Sequence, residues 1–246
     1  MRTKTDIAIA RIQEFEPPEG YYLAFSGGKD STVLYDLTVR TGVKLDAHYN
    51  VSGIDPPELV RFIKANYPTV EFRVQQRSLF KAVQTNGLPT RMRRWCCRYI
   101  KESGGAGRRI LMGIRWAEST RRKGRRMVEA CYKDESRLYV NPIIDWTDQD
   151  VWNYIRECNL DYCSLYDEGF ERLGCILCPM APKWQRLAQA ERWPKIADAW
   201  KRAAIRYWNR GTKGGQRFSS GEQFFDWWMQ NESVEHFLQQ SKMDLT

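Results

Sequence analysis

The chain has 246 residues, 42% of them hydrophobic and 28% charged, enough for one sizeable core plus an appendage, and its mean hydropathy of -0.62 points to a soluble globular protein. No apolar run reaches the roughly 20 residues of a membrane span and no long apolar stretch follows Met1-Arg2-Thr3, so a cytoplasmic protein without membrane or secretory segments is expected. A net charge of +9 and a pI of about 9.2 favour an anionic partner such as a nucleotide, a sulfonucleotide or nucleic acid.

Taken in order, Thr5 to Phe15 has helical spacing, with Ile7, Ile9, Ile12 and Phe15 apolar. Pro17-Pro18-Glu19-Gly20 ends that helix and leads into a strand at Tyr21. A helix from about Ser31 to Arg40 follows, capped at Gly42, then a strand over 43–50. Pro56-Pro57 opens a helix over 58–66, and 69–74 reads as a third strand. Further strands are expected at 110–114 and 139–144, with short helical spacing over 79–85 between. Thr147-Asp148-Gln149-Asp150 has the form of a capping box before a helix. Strands alternating with helices predict an α/β fold, a parallel twisted sheet with helices on both faces. After about residue 180 the pattern becomes helical, over 184–208 and 221–240. The expected division is therefore a nucleotide-binding and cysteine domain over 1–180 and a helical C-terminal extension over 181–246. Trp193, Trp200, Trp208, Trp227 and Trp228 are read as packing residues of that extension.

The chemistry starts at Phe25-Ser26-Gly27-Gly28-Lys29-Asp30-Ser31. Two glycines between a buried strand and a helix let backbone amides approach a ligand, and the helix N-terminus favours negative charge. Ser26, Lys29 and Ser31 add two hydroxyls and a cation, Ser31 being the expected helix cap, so a phosphate suits the turn. The spacing is not that of a Walker loop. The string resembles the pyrophosphate loop (PP-loop) of the ATP pyrophosphatases, whose fold is adenine nucleotide alpha hydrolase-like. That resemblance implies ATP, Mg²⁺ held with the help of Asp30, and a nucleotide site of Ser26, Gly27, Gly28, Lys29, Asp30 and Ser31.

Seven cysteines in a chain of this type argue against a disulfide framework and for metal or redox chemistry. Cys96-Cys97 are adjacent and Cys175-Ile176-Leu177-Cys178 is a Cys-x-x-Cys. Four thiolates suit an iron–sulfur cluster or zinc, and unligated thiols are the bland alternative. Neighbouring cysteines crowd a single zinc ion, whereas a cubane has separate corners. The combined pattern, with Lys101 after Cys97 and Asn141-Pro142-Ile143-Ile144-Asp145-Trp146-Thr147, resembles the adenylylsulfate and phosphoadenylylsulfate reductase family over about 21–179. The resemblance implies a [4Fe-4S] cluster on Cys96, Cys97, Cys175 and Cys178. Gly113-Ile114-Arg115 resembles the family's Gly-hydrophobic-Arg segment, which places Gly113 and Arg115 at the nucleotide, Arg115 as the expected phosphate contact. Lys29, Asp30 and Arg115 are the expected catalytic residues. Basic runs at Arg91, Arg93, Arg94, Arg98 and at Arg121, Arg122, Lys123, Arg125, Arg126 flank the proposed anion site.

One departure decides the functional reading. Reductases of the family carry a further cysteine near the C-terminus that attacks the sulfate sulfur, and this chain has none after Cys178. The main expectation is therefore an ATP pyrophosphatase-type sulfurtransferase, similar to those of DNA phosphorothioation and tRNA thiolation. It would adenylate a nucleic-acid oxygen, release pyrophosphate and admit sulfur from a cysteine desulfurase or another donor. Cys131, Cys158 or Cys163 is a candidate persulfide carrier. The alternatives are a thiol-dependent sulfonucleotide reductase that releases sulfite, and a non-catalytic nucleotide-and-cluster module. DNA or tRNA is the expected partner, no membrane is expected, and homo-oligomer formation is left open.

Overall fold

The computed structural model describes residues 2–131 and 134–243. In chain order its helices and strands are α1 (Lys4–Glu14), β1 (Tyr21–Phe25), α2 (Lys29–Thr41), β2 (Leu45–Val51), α3 (Pro57–Asn66), β3 (Glu71–Val74), α4 (Leu79–Asn86), α5 (Trp95–Ile100), β4 (Arg109–Leu111), β5 (Val128–Cys131), β6 (Asp134–Val140), α6 (Asp148–Glu157), α7 (Lys183–Arg192), α8 (Pro194–Asn209), α9 (Gly221–Gln230) and α10 (Val234–Met243). Two compact units result. Unit 1 is Met1–Val51, Pro57–Arg73 and Gly104–Leu173, and unit 2 is Ser52–Pro56, Val74–Ser103 and Gly174–Thr246.

Unit 1 is built on a six-stranded sheet of order β3-β2-β1-β4-β6-β5. β1 runs parallel to β2 and β4, and β4 parallel to β6. β1 is buried almost throughout, which accounts for its near-continuous apolar sequence. The sheet is mixed rather than wholly parallel, because β5 pairs antiparallel with β6. The hairpin was not legible beforehand: Val128–Cys131 has a half-exposed, weakly alternating pattern and a register shift at Ala130 and Cys131. β6 also ends at Val140, and Asn141 to Trp146 is a turn.

Helix α1 starts in a reciprocal cap, Asp6 N–H on Thr3 Oγ1 at 3.1 Å and Thr3 N–H on Asp6 Oδ2 at 2.9 Å. Arg11 fastens α1 to the turn after β6. It donates to Pro142 O at 2.8 Å and to both carboxylate oxygens of Asp145 at 2.8 and 3.0 Å. Burial works against the Asp145 carboxylate, but Arg11 outweighs it and holds the group below its usual pKa. A carboxylate depressed on folding contributes stability above its unfolded pKa and loses it as pH falls through the folded one. Arg11→Ala should therefore cost roughly 1 kcal/mol at pH 7, a cost that shrinks as pH falls through the lowered pKa of Asp145, measured by denaturant titration at neutral and acid pH.

Unit 2 gathers the helical C-terminal residues together with 52–56, 74–103 and 174–180, so the expected extension over 181–246 shares its core with earlier segments. Aromatic packing is the cause. Phe80 of α4 meets Trp200 of α8 edge-on at 5.4 Å, Trp200 meets Trp228 of α9 at 4.9 Å, and the Trp228 indole donates to Pro89 O at 2.6 Å. Trp193, Trp200 and Trp228 are buried and Trp208 and Trp227 partly so, in keeping with a packing role. The two long helical stretches each break in two. Pro194 starts α8 after Trp193, and Asn231 adopts a left-handed conformation after α9, at φ 61°.

Candidate functional site

The turn after β1 is shaped by Gly27, whose φ is +72° and where a Cβ would fall within 2.6–2.8 Å of Ile63 and Leu59 side-chain atoms. Both the conformation and the close approach require glycine. Helix α2 then begins at Lys29, with Gly28 in extended conformation as its N-cap. Ser31 is not the cap, because the helix starts earlier than its hydroxyl could serve. Ser31 Oγ instead donates to Gly28 O at 2.9 Å and accepts from Ser26 N at 3.2 Å, and it lies 3.0 Å from Ser26 Oγ. The two serines thus brace the turn from within.

Lys29 is buried, yet its ammonium finds carboxylates: 3.3 Å to Asp148 Oδ1 and 3.9 Å to Asp30 Oδ2. It also donates to Glu171 O at 3.3 Å. Arg115, at the end of the segment after β4, is 1% exposed and binds the same two acids. Its Nε donates to Asp30 Oδ1 at 2.6 Å, its second terminal nitrogen to Asp148 Oδ1 at 2.9 Å, and the first to Trp146 O at 3.2 Å. Arg115, the expected phosphate contact, directs three of its N–H groups to two carboxylates and a carbonyl and so positions Asp30 and Asp148 around Lys29. Burial again opposes the Asp148 carboxylate, and Arg115 and Lys29 prevail, keeping its pKa below the ordinary range. Gly113 is likewise a packing residue. A Cβ there would sit 3.1 Å from the Asp30 carbonyl, so glycine lets the strand end approach the first turn of α2.

Three participants in this site had been missed. Asp148 had been read only as part of the α6 cap sequence. Tyr166, whose hydroxyl accepts from Lys29 N at 2.9 Å, lies beyond α6 in a stretch without periodicity. Glu118 accepts from Arg115 N at 3.0 Å and pairs with Arg122 and, at 3.5 Å, with Arg172. Burial draws the Arg122 pKa down to about 10. Lys29, Arg115, Glu118, Asp148, Tyr166 and Arg172 line a cavity of about 670 Å³, large enough for a nucleotide-sized ligand. A second cavity of unit 1, about 830 Å³, is lined by Tyr22, Asp46, His48, Arg73 and Arg108. Tyr22 stacks on His48 at 4.2 Å and accepts from Arg73, and Arg108 meets Asp46 at 2.8 Å. Of the loop cations, Arg122 and Arg125 are held by Glu118 and Glu129, while Arg121, Lys123 and Arg126 face solvent.

All four motif cysteines fall in unit 2, Cys96 and Cys97 on α5, Cys175 and Cys178 in the turn before α7. They act on one another and on Lys101. The Cys96 thiol, hydrogen-bonded to Cys97 and desolvated, has its pKa raised. Cys97, hydrogen-bonded by Cys96 and by Arg94 at 3.6 Å, is drawn down to about 5 despite burial. Desolvation pushes Cys175 up to about 12, and Cys175 first, then Asp55, Cys97 and Cys178, favours the charged Lys101 ammonium. Among the described residues no group of three or more His, Cys, Asp or Glu side chains is arranged to hold a metal ion. The remaining thiols lie in unit 1. Cys131 and Cys163 are buried, and Cys158 accepts from Arg40 at 3.4 Å.

A family model for the phosphoadenosine phosphosulfate reductase domain matches residues 20–181. The chain belongs to that family. Adenosine 5'-phosphosulfate reductases of Oceanobacillus iheyensis and Geobacillus kaustophilus are 29% identical over 182 residues and 31% identical over 168, matches that cover 69% and 63% of this chain and 75% and 71% of theirs. An uncharacterised protein of Methanocaldococcus jannaschii is 29% identical over 187 residues, covering 72% of this chain but 46% of that protein, so the chain spans less than half its length. Among solved structures, the phosphoadenylyl-sulfate reductase of Candida auris in its phosphate complex has a TM-score of 0.53 at 19% identity, over 71% of this chain and 88% of that one, a likeness of fold. As expected, the fold is α/β with a mostly parallel sheet and a helical C-terminus. No helix among the described residues is long and apolar enough to cross a membrane.

Proposed function

We propose that this member of the reductase family acts on an adenylyl nucleotide through unit 1 and uses the four thiols of unit 2 as the ligands of a metal–sulfur centre. The relatives favour reduction of adenylylsulfate over the sulfur-transfer reading. In that reaction a thiolate attacks the sulfate sulfur, the S–O bond to the phosphate breaks, and AMP leaves with the electron pair. A second thiolate then attacks the resulting S-sulfonate at its thiol sulfur, releasing sulfite and leaving a disulfide. The two electrons come from the dithiol. What supports the proposal is that Cys96 is hydrogen-bonded to Cys97 and that Cys97, Cys175 and Cys178 all act on the Lys101 ammonium, in a chain of this family.

The chain's own residues have definite parts in it. The turn amides at Gly27 and Gly28 and the α2 N-terminus receive anionic oxygens, and the Lys29 ammonium offsets charge that grows on the departing phosphate. Asp30 and Asp148 hold that ammonium in place, and Arg115 holds them. Arg172, on the cavity wall, pairs with Glu118, which also holds Arg122. Cys96, Cys97, Cys175 and Cys178 would hold the thiolate-ligated cluster by the chemistry of their sulfurs, and Lys101 and Arg94 would stabilise its negative charge. When bound, such a group supplies a charged, electron-accepting centre.

A second reading, ATP-dependent sulfur transfer to DNA or tRNA, is favoured by a different observation. No cysteine is among the side chains that line the unit 1 cavity, and none occurs in residues 179–246. Here a substrate oxygen attacks the α-phosphorus of ATP, pyrophosphate leaves, and a sulfur nucleophile then displaces AMP. The Asp30 and Asp148 carboxylates would help hold Mg²⁺. Anaerobically purified protein separates the two readings. Sulfite formed from adenylylsulfate and a dithiol supports reduction; pyrophosphate release from ATP stimulated by nucleic acid, without sulfite, replaces it with transfer. Neither product under either condition removes both.

A further inference from the structure

The two cysteine segments of unit 2 are flanked in sequence by exposed apolar side chains. Met92 is 93% exposed, Trp184 71%, Met180 46% and Leu187 41%. Met92 precedes the cysteine pair and Met180 follows Cys178. Trp184 and Leu187 stand one turn apart on α7, hence on one face. Arg91 ties the first segment to the second, its Nε donating to Pro179 O at 3.1 Å and a terminal nitrogen to Ala181 O at 3.5 Å. Single exposed apolar residues mean little, but several large ones around one site mark an interaction surface.

Charge narrows the partner. Neither 89–101 nor 174–190 contains an acidic residue, while Arg93, Arg94, Arg98 and Lys183 are exposed there. Of these cations Lys183 has the Glu232 carboxylate at 3.9 Å. We propose that this face docks an acidic protein that presents an apolar anchor to Trp184 and its methionine neighbours. Tryptophan, methionine and arginine are the residues enriched at the centres of protein interfaces. A polynucleotide would gain from the arginines and from Trp184, but Met92, Met180 and Leu187 give it neither a phosphate contact nor a stacking plane. A second copy of the chain would set this basic surface against itself across a two-fold axis. What the partner brings, electrons or sulfur for the thiols, rests on the four-thiol reading above; the docking does not.

The test uses the full chain, purified without air, titrated with two small acidic proteins, a dithiol carrier and an iron–sulfur electron carrier, and in parallel with a short single-stranded oligonucleotide. The expected result is saturable, salt-sensitive binding of at least one protein, weakened about tenfold or more by Trp184→Ala and by Arg93→Glu. Oligonucleotide binding should be insensitive to Trp184→Ala. Both variants should retain wild-type circular dichroism and nucleotide affinity; a variant that does not is replaced by Leu187→Ser, judged by the same readings. Failure of both proteins to bind, binding indifferent to the substitutions, loss confined to the oligonucleotide, or Trp184-dependent self-association in sedimentation would each overturn the proposal. Metal and sulfide content, measured on the same sample, tests the four-thiol reading separately.

Discussion

Lys29→Ala is expected to lower nucleotide turnover by about 10²–10³-fold, with circular dichroism unchanged. The ammonium is the cation that α2 places at the mouth of the glycine turn, inside a cavity whose other lining cations are paired, Arg115 with Asp30 and Asp148 and Arg172 with Glu118. Charge developing on a leaving phosphate would then have only backbone amides to meet it. The loss should fall mainly on kcat, because an interaction that strengthens as charge develops contributes most in the transition state. Lys29→Arg should recover little, since a planar guanidinium does not fit between Asp30, Asp148 and the Glu171 carbonyl as a compact ammonium does. Steady-state kinetics on whichever nucleotide proves to be the substrate, with nucleotide affinity by calorimetry, checks this. A variant that keeps its kcat would remove Lys29 from the chemistry.

Arg115→Gln is the substitution expected to affect stability most. Removing one partner from a buried ion pair costs about 3–5 kcal/mol, because the other charge is left without compensation. Here the figure belongs at the lower end. The Asp30 side chain is 22% exposed and that of Asp148 62%, so both carboxylates can regain some water. Glutamine retains a donor but cannot span Asp30, Asp148 and the Trp146 carbonyl together. Unfolding of unit 1 should therefore shift to lower temperature by several degrees in calorimetry, and nucleotide affinity should fall as Lys29 loses its aligned acids. Were Arg115 instead a direct phosphate ligand, affinity would drop without a comparable loss of stability.

The turn and its chemistry could be read without coordinates because they are local. A buried strand, two glycines and a helix start fall within one short string, and the physics that makes the string a phosphate seat acts between neighbours. The same holds for the α6 cap and for the strand–helix alternation. The cysteine pair and the Cys-x-x-Cys could be named, but nothing in their spacing put them in one field with Lys101; chain folding in unit 2 did that. Arg115 is the instructive reversal. Its residue type and its place after a strand point to an anion ligand, and the anions it meets are the protein's own. Asp148 and Glu118 come from α6 and from a short helical turn distant in sequence from the loop, and no local pattern announces them.

Locally encoded propensity determined that this chain is an α/β protein with a glycine-turn nucleotide motif, a four-cysteine motif and a basic surface, since periodicity, glycine placement and charge are properties of short segments. Tertiary structure decided which groups are available. It set Arg115 between Asp30 and Asp148 and Gly113 against the first turn of α2, brought Tyr166 onto the Lys29 amide, and joined the C-terminal helices to earlier segments through Trp200 and Trp228. The reason is physical: a buried charge must find its counter-charge and a large aromatic its partners, and both searches run across the whole chain.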